Sequence, residues 1–159
     1  VCSGHSGVAR GIARRALHEA AHAASIKKRL YATASISDTP TFKLDFVRHE
    51  ALFQAARTRV YEVLTAIDRQ AALGVAPGDA DIQRLRQVTT WTHHVCRDVA
   101  AFAYSSVSSS LRQPSILARN LMDASVAAQH IIVTDMTLFE ASTSIIDEWA
   151  EPGAGSIGR

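Results

Sequence analysis

The sequence predicts an all-α chain, an antiparallel four-helix bundle that admits a short fifth helix. Three observations predict it. Apolar residues recur at spacings of three and four through four long segments. No stretch alternates with the two-residue period of a strand. Proline and glycine punctuate only a few places, and the segments between them are long enough to be helices.

The first helix is expected from about 7 to 33, with Val8, Ile12, Ala16, Ala20, Ala23, Ile26 and Leu30 as its stripe. Its alanine content predicts close approach to a neighbouring helix. Asp38-Thr39-Pro40 then signals a helix start, because the missing N–H of proline is no loss in the first turn. The second helix, about 40 to 73, lines up Phe42, Phe46, Phe53, Ala56, Val60, Leu64 and Ile67, with His49 among them. Gly74 is its expected C-cap, and Pro77-Gly78-Asp79 turns the chain, with Asp79 as the next N-cap.

The third helix, about 79 to 107, carries Ile82, Leu85, Thr89, Thr92, Cys96, Val99 and Ala103, widened by Val88, Trp91, Val95 and Phe102. A serine run, Ser105 to Ser110, leads to Pro114 and the fourth helix, whose stripe is Leu117, Leu121, Ala124, Ala128 and Ile131. The β-branched pair Val133-Thr134 is placed to bend or interrupt it before a final segment through Leu138, Phe139, Ile145 and Ile146. Residues 1–150 thus form the bundle domain, and 151–159, with Pro152, Gly153, Gly155 and Gly158, a flexible tail.

With 159 residues, the chain suits one domain with a core of its own. A formal net charge of +2, with no basic cluster beyond Lys27-Lys28-Arg29, argues against a nucleic-acid partner. No apolar run approaches the roughly 20 residues of a bilayer span, and no signal-peptide pattern is present, so no membrane partner is expected. Two cysteines, Cys2 and Cys96, make no disulfide framework, which predicts a reduced, cytoplasmic setting. Because the chain opens on Val1 rather than Met, it reads as a piece of something longer.

Several patterns could carry chemistry. His18-Glu19-Ala20-Ala21-His22 spells HExxH, which sets two imidazoles one helical turn apart, as zinc requires. Zinc needs a third protein ligand, and beyond Glu50 none suggests itself, so no metal site is expected. A di-iron bundle needs two Glu-x-x-His units, and Glu19 to His22 is the single one in the chain. The serines lack a nucleophile elbow, but ahead of a helix N-terminus they could donate to a phosphate or a flavin edge. On the fourth helix Arg119, Asp123 and His130 fall at i, i+4 and i+11 on one side, with Val126 among them. Such a stripe is ordinarily solvated, yet Ile131 and Ile132 directly after His130 predict partial burial of the imidazole.

Taken in succession, these stretches resemble one family. Gly4-His5-Ser6-Gly7-Val8-Ala9-Arg10-Gly11-Ile12-Ala13 looks like the start of the C-terminal helical domain of the acyl-CoA dehydrogenase superfamily. Glu50 to Arg57, continuing to Val60-Tyr61, is similar to its second helix, and Arg119-Asn120 through Gln129-His130 to its ending. The resemblance is to the two-component flavin monooxygenase branch that includes p-hydroxyphenylacetate hydroxylase oxygenase components. It implies that an N-terminal helical domain and a middle β-domain, absent from this chain, complete a flavin site that uses FMN or FAD. It also implies a homo-oligomer, a tetramer, served by a separate flavin reductase and acting on a small organic, aromatic-type substrate.

By the same resemblance His130 is the catalytic residue, Arg29 reaches a flavin phosphate, and Ser108, Ser109 and Arg119 belong to the cofactor site. An imidazole suits proton handling because its unperturbed pKa lies near working pH. The sequence departs from the family pattern at Asn120, where the family has Asp beside the arginine, and at Val107-Ser108, where it has glycine. The Tyr-Glu-Gly segment of the dehydrogenases is missing, which favours oxygenation. Two alternatives stand: an acyl-CoA dehydrogenase domain whose base lies elsewhere, and a non-catalytic helical interaction module.

Overall fold

The structure, a computed structural model, describes residues 2–107 and 114–150. All of its regular elements among these residues are helical: α1 (Cys2–Ile26), α2 (Pro40–Ala72), α3 (Asp79–Ser106), α4 (Ile116–Ala127) and α5 (Asp135–Ala150), with short 3-10 turns at Ile36–Asp38 and Ile131–Val133. The expected tail and the segment with Ser108 and Ser109 lie outside the described residues.

Helix α3 is the axis of the bundle and packs against all four other helices. This is why Thr89, Thr90, Thr92, His93, Val95, Cys96, Val99 and Ala100 are all buried, more than a single stripe would allow. Helix α2 meets it antiparallel. Phe42 and Phe46 lie against Phe102 near one end, with ring centroids 6.0 and 6.2 Å away, and Val60 and Val63 cluster with Val88 towards the other. Helices α4 and α5 together occupy the fourth position. They are one helix in concept, broken between Ala128 and Thr134, so that α4 covers the second half of α3 and α5 the first. Arg84 joins Glu148 and Arg86 reaches Glu140 at 3.4 Å, pinning α5 in that antiparallel register.

The ends of the elements show how local chemistry sets them. Pro40 occupies the first turn of α2, as expected, and Gly74 takes the left-handed φ of 73° that ends it, its N–H donating to Ala71 O at 2.9 Å. The N-cap of α3 is Gly78 rather than Asp79. The Asp81 carboxylate accepts the Gly78 N–H at 3.0 Å, so the acidic residue three positions on does the capping. Helix α4 is capped by Ser115, whose hydroxyl accepts from Ala118 N at 3.2 Å.

Two expectations for α1 are corrected. It runs from Cys2 to Ile26 rather than about 7 to 33, and Tyr31, with φ of 64°, lies in a turn beyond it. Its buried stripe is also shifted in part: Ala16 and Ala20 are buried as expected, but Ala9, Ala13 and Ala24 join them, whereas Val8, Ile26 and Leu30 are exposed. Alanines face inward because α3 approaches closely, and a larger side chain on that line would hold the helices apart.

The thiol of Cys96 sits in this dry interior, and burial pushes its pKa up to about 12, so it stays protonated and inert. No helix of the described residues is long and apolar enough to cross a membrane.

Candidate functional site

Where the fourth helix breaks, a cleft opens. It is lined by Gly4, His5 and Val8 from the start of α1, His93 from the middle of α3, Val126 and Ala127 from the end of α4, and His130 from the break. Its volume of about 520 Å³ falls within the roughly 300–1,000 Å³ of small-molecule sites, and its surface is mostly apolar.

Three imidazoles from three elements converge here. The rings of His5 and His130 stand 4.3 Å apart between centroids, and those of His5 and His93 6.1 Å apart. His130 adopts extended backbone angles and caps the 3-10 turn Ile131–Val133; its Nδ1 accepts a long 3.4 Å bond from Ile132 N. That acceptor role leaves Nε2 carrying the proton of the neutral ring. His93 is the converse. Its Nδ1 donates to Thr89 O at 2.9 Å, so its Nε2 is an acceptor, and that atom is buried without a partner among the described residues.

Burial is the main force holding the pKa of His93 below its ordinary value. The hydrogen bond to Thr89 opposes that shift, while the nearby His5, His94 and His130 add to it. His94 itself faces Asp135 at 3.5 Å. A histidine with a depressed folded pKa binds its proton more readily in the unfolded chain. Its contribution to stability is therefore complete above pH 6.5 and lost as pH falls below that value. Denaturant melts should show stability falling from pH 7.5 to pH 5, with a shallower fall in His93→Leu. Parallel pH profiles for the two proteins would contradict this.

The described residues among those expected at the site lie in three separate places. His130 lines the cleft, but it is exposed within this chain, as is Ile131, so the predicted burial does not occur. Nor does His130 lie on a helical face with Arg119 and Asp123, because α4 ends at Ala127. Arg119 is exposed and pairs with Asp123 at 3.7 Å. The neighbouring Asn120 is buried, whereas Arg119 is exposed. Arg29 lines a second pocket of about 200 Å³ with Ile36, Thr41, Phe42, Asp45, Phe102, Ser105 and Ser106, none of which lines the His130 cleft.

In the HExxH string His18 and His22 are exposed, and Glu19 is tied to Arg15 at 2.7 Å. Among the described residues no cluster of three or more His, Cys, Asp or Glu side chains could hold a metal ion. Sequence reasoning missed His5 and His93. One signal for His93 was available: it falls four residues after Thr89 and three before Cys96, on the apolar face.

The structure is an all-helical bundle with a histidine-lined cleft of small-molecule size at a helix break. The chain belongs to the acyl-CoA dehydrogenase C-terminal domain family, whose profile matches residues 3–135. It is similar to indole-3-acetate monooxygenase of Pseudomonas putida, 31% identical over 147 residues, covering 90% of this chain and 37% of the relative. Its fold is similar to the solved structure of XiaF from Streptomyces sp. in complex with FADH2 and glycerol. There the TM-score is 0.82 at 20% identity, covering 90% of this chain and 37% of that one. The chain thus spans little more than a third of the length of either.

Proposed function

We propose that this chain is the C-terminal wall of a flavin-dependent monooxygenase that uses reduced flavin and oxygen on a small, aromatic-type substrate. The observation that carries the reading is the imidazole-lined cleft, which includes His130 and has the volume and apolar walls of a small-molecule site. The relation to indole-3-acetate monooxygenase supports oxygenation and an aromatic substrate.

The residues present fit a flavin in part. Arg29 is exposed with no carboxylate paired to it among the described residues, so a phosphate could dock there; Asp45 on the same rim opposes it, and the hydroxyls of Ser105 and Ser106 in that pocket donate to Phe102 O and Ala103 O. His130, with a proton on Nε2, suits the ring end of the site, whereas Arg119 is already engaged by Asp123. Ser108 and Ser109 are assigned to the flavin by family resemblance. When bound, reduced flavin supplies the electrons that activate oxygen. This chain's own residues orient the substrate, exclude water and hold a proton at His130 Nε2. FADH2 is the first cofactor to test, since XiaF holds it, with FMN the other.

The apolar Met136, Phe139, Ile146 and Trp149 lie exposed on one face of α5, which supports cover by another domain or subunit, the latter in a tetramer. A separate reductase and a reduced, cytoplasmic compartment complete the reading.

The intact protein, given reduced flavin, should consume oxygen and hydroxylate an aromatic acceptor. The chain alone should neither retain stoichiometric flavin nor turn over. The family's description favours one rival, acyl-CoA oxidation. Acyl-CoA-dependent reduction of the bound flavin, without oxygenation of any aromatic, would establish that rival instead.

A further inference from the structure

The floor of the cleft contains an unmade hydrogen bond. His93 is 2% exposed and its Nε2 has no partner among the described residues, a condition that costs about 1–3 kcal/mol in a folded protein and calls for a physical reason. The tautomer is fixed, because Nδ1 is committed to the Thr89 carbonyl on the same helix. The free edge of the ring is therefore the one turned away from the Thr89 carbonyl, and His93 is among the residues that line the cleft. His5, a half-buried side chain near the start of α1, lies beside His93 with ring centroids 6.1 Å apart, and a change of its rotamer would open a path to the buried acceptor. Val8, Val126 and Ala127 provide apolar walls, and the rings of His5 and His130 add flat faces.

We propose that His93 Nε2 is the specificity-determining acceptor of this cleft, selecting planar aromatic ligands that present an N–H or O–H donor to it. The inference rests on the reading of this cleft as the substrate side of the flavin site. Discrimination comes from the buried acceptor: a ligand with a donor satisfies it, and an isostere without one seals it off unpaired. Because His93 is a neutral acceptor, it orients the ligand and takes no proton from it. His130, with its opposite tautomer at the mouth, is left for proton handling.

The test compares two probes of the same shape in the intact protein: indole, whose polar edge is a donor only, and benzofuran, in which an oxygen replaces that N–H. Calorimetry should show indole binding at least about tenfold tighter, with the preference reduced below about threefold in His93→Leu and partly restored in His93→Gln, whose amide carbonyl can accept. A purely structural role for His93 would weaken both probes equally. In the wild-type protein, the ¹⁵N resonance of His93 Nε2 should move on adding indole and stay in place with benzofuran, a readout that needs no variant to fold.

Equal binding of the probes, binding of neither, or a preference that persists in His93→Leu overturns the proposal. Its failure is separable from failure of the flavin reading. Flavin-dependent oxygenation lost in His130→Ala alongside equal binding of the two probes sinks only the acceptor. Selective indole binding in a protein that never oxygenates sinks only the flavin chemistry.

Discussion

Replacing His130 with alanine in the intact protein should lower flavin-dependent oxygenation by about tenfold or more, the range expected when a positioned acid–base group is removed. The same substitution should leave folding nearly untouched. His130 is exposed, and its one side-chain hydrogen bond among the described residues is the long 3.4 Å contact from Ile132 N, whose N–H can turn to water when the ring is gone. A stability change within about 1 kcal/mol is expected. Rate and melting temperature are therefore to be measured on the same preparations. An unchanged rate in a folded protein would favour a non-catalytic helical interaction module, because nothing else in such a module depends on this imidazole.

The largest effect on stability is expected at Phe102. Its ring joins α2 to α3, stacked on His49 at 4.3 Å and 10° between planes, and lies 6.0 Å from Phe42 and 6.2 Å from Phe46 in an edge-on arrangement. His49 is itself held by a 2.7 Å bond between Nδ1 and Asp45 O, so the partners of Phe102 cannot readily collapse into a void. Phe102→Ala should destabilise the chain by about 3–5 kcal/mol, through lost burial and the cavity left behind. That is a large part of the roughly 5–15 kcal/mol by which domains are stable. Urea melts should show the midpoint falling with little change in slope. Leu73→Ala, at a side chain that is 81% exposed, is the control and should stay within about 0.5 kcal/mol. A loss at Phe102 no greater than the control's would mean that this aromatic cluster does not hold the helices together.

Phe102 also illustrates what could be seen in advance. Its periodicity, and that of Phe42, Phe53, Ala56 and Val60, placed it on an inward face, and the structure buries all five. Helix α1 shows the reverse. Periodicity and hydrophobicity favoured a stripe through the larger Val8 and Ile26, yet Ala9 and Ala13 are the residues buried beside Ala16 and Ala20. The close approach of α3 selects the smaller ones. His130 failed as a helical position for a related reason: a sum of spacings assumes that the helix continues, and α4 stops three residues short.

By itself, the sequence determined the helical class, the positions of α2 and α3, and, through its resemblance to a family, which family the chain belongs to. Those properties are written in local periodicity, in turn residues and in a short motif. Only the tertiary structure decided which face of α1 is inside, where the fourth helix breaks, and that His5 and His93 join His130 in one cleft. The physical reason is that these depend on distances between residues 88 and 125 positions apart in the chain, between 5 and 93 and between 5 and 130, which no local pattern encodes. Packing around α3 sets them, because each helix must fit the space that its neighbours leave.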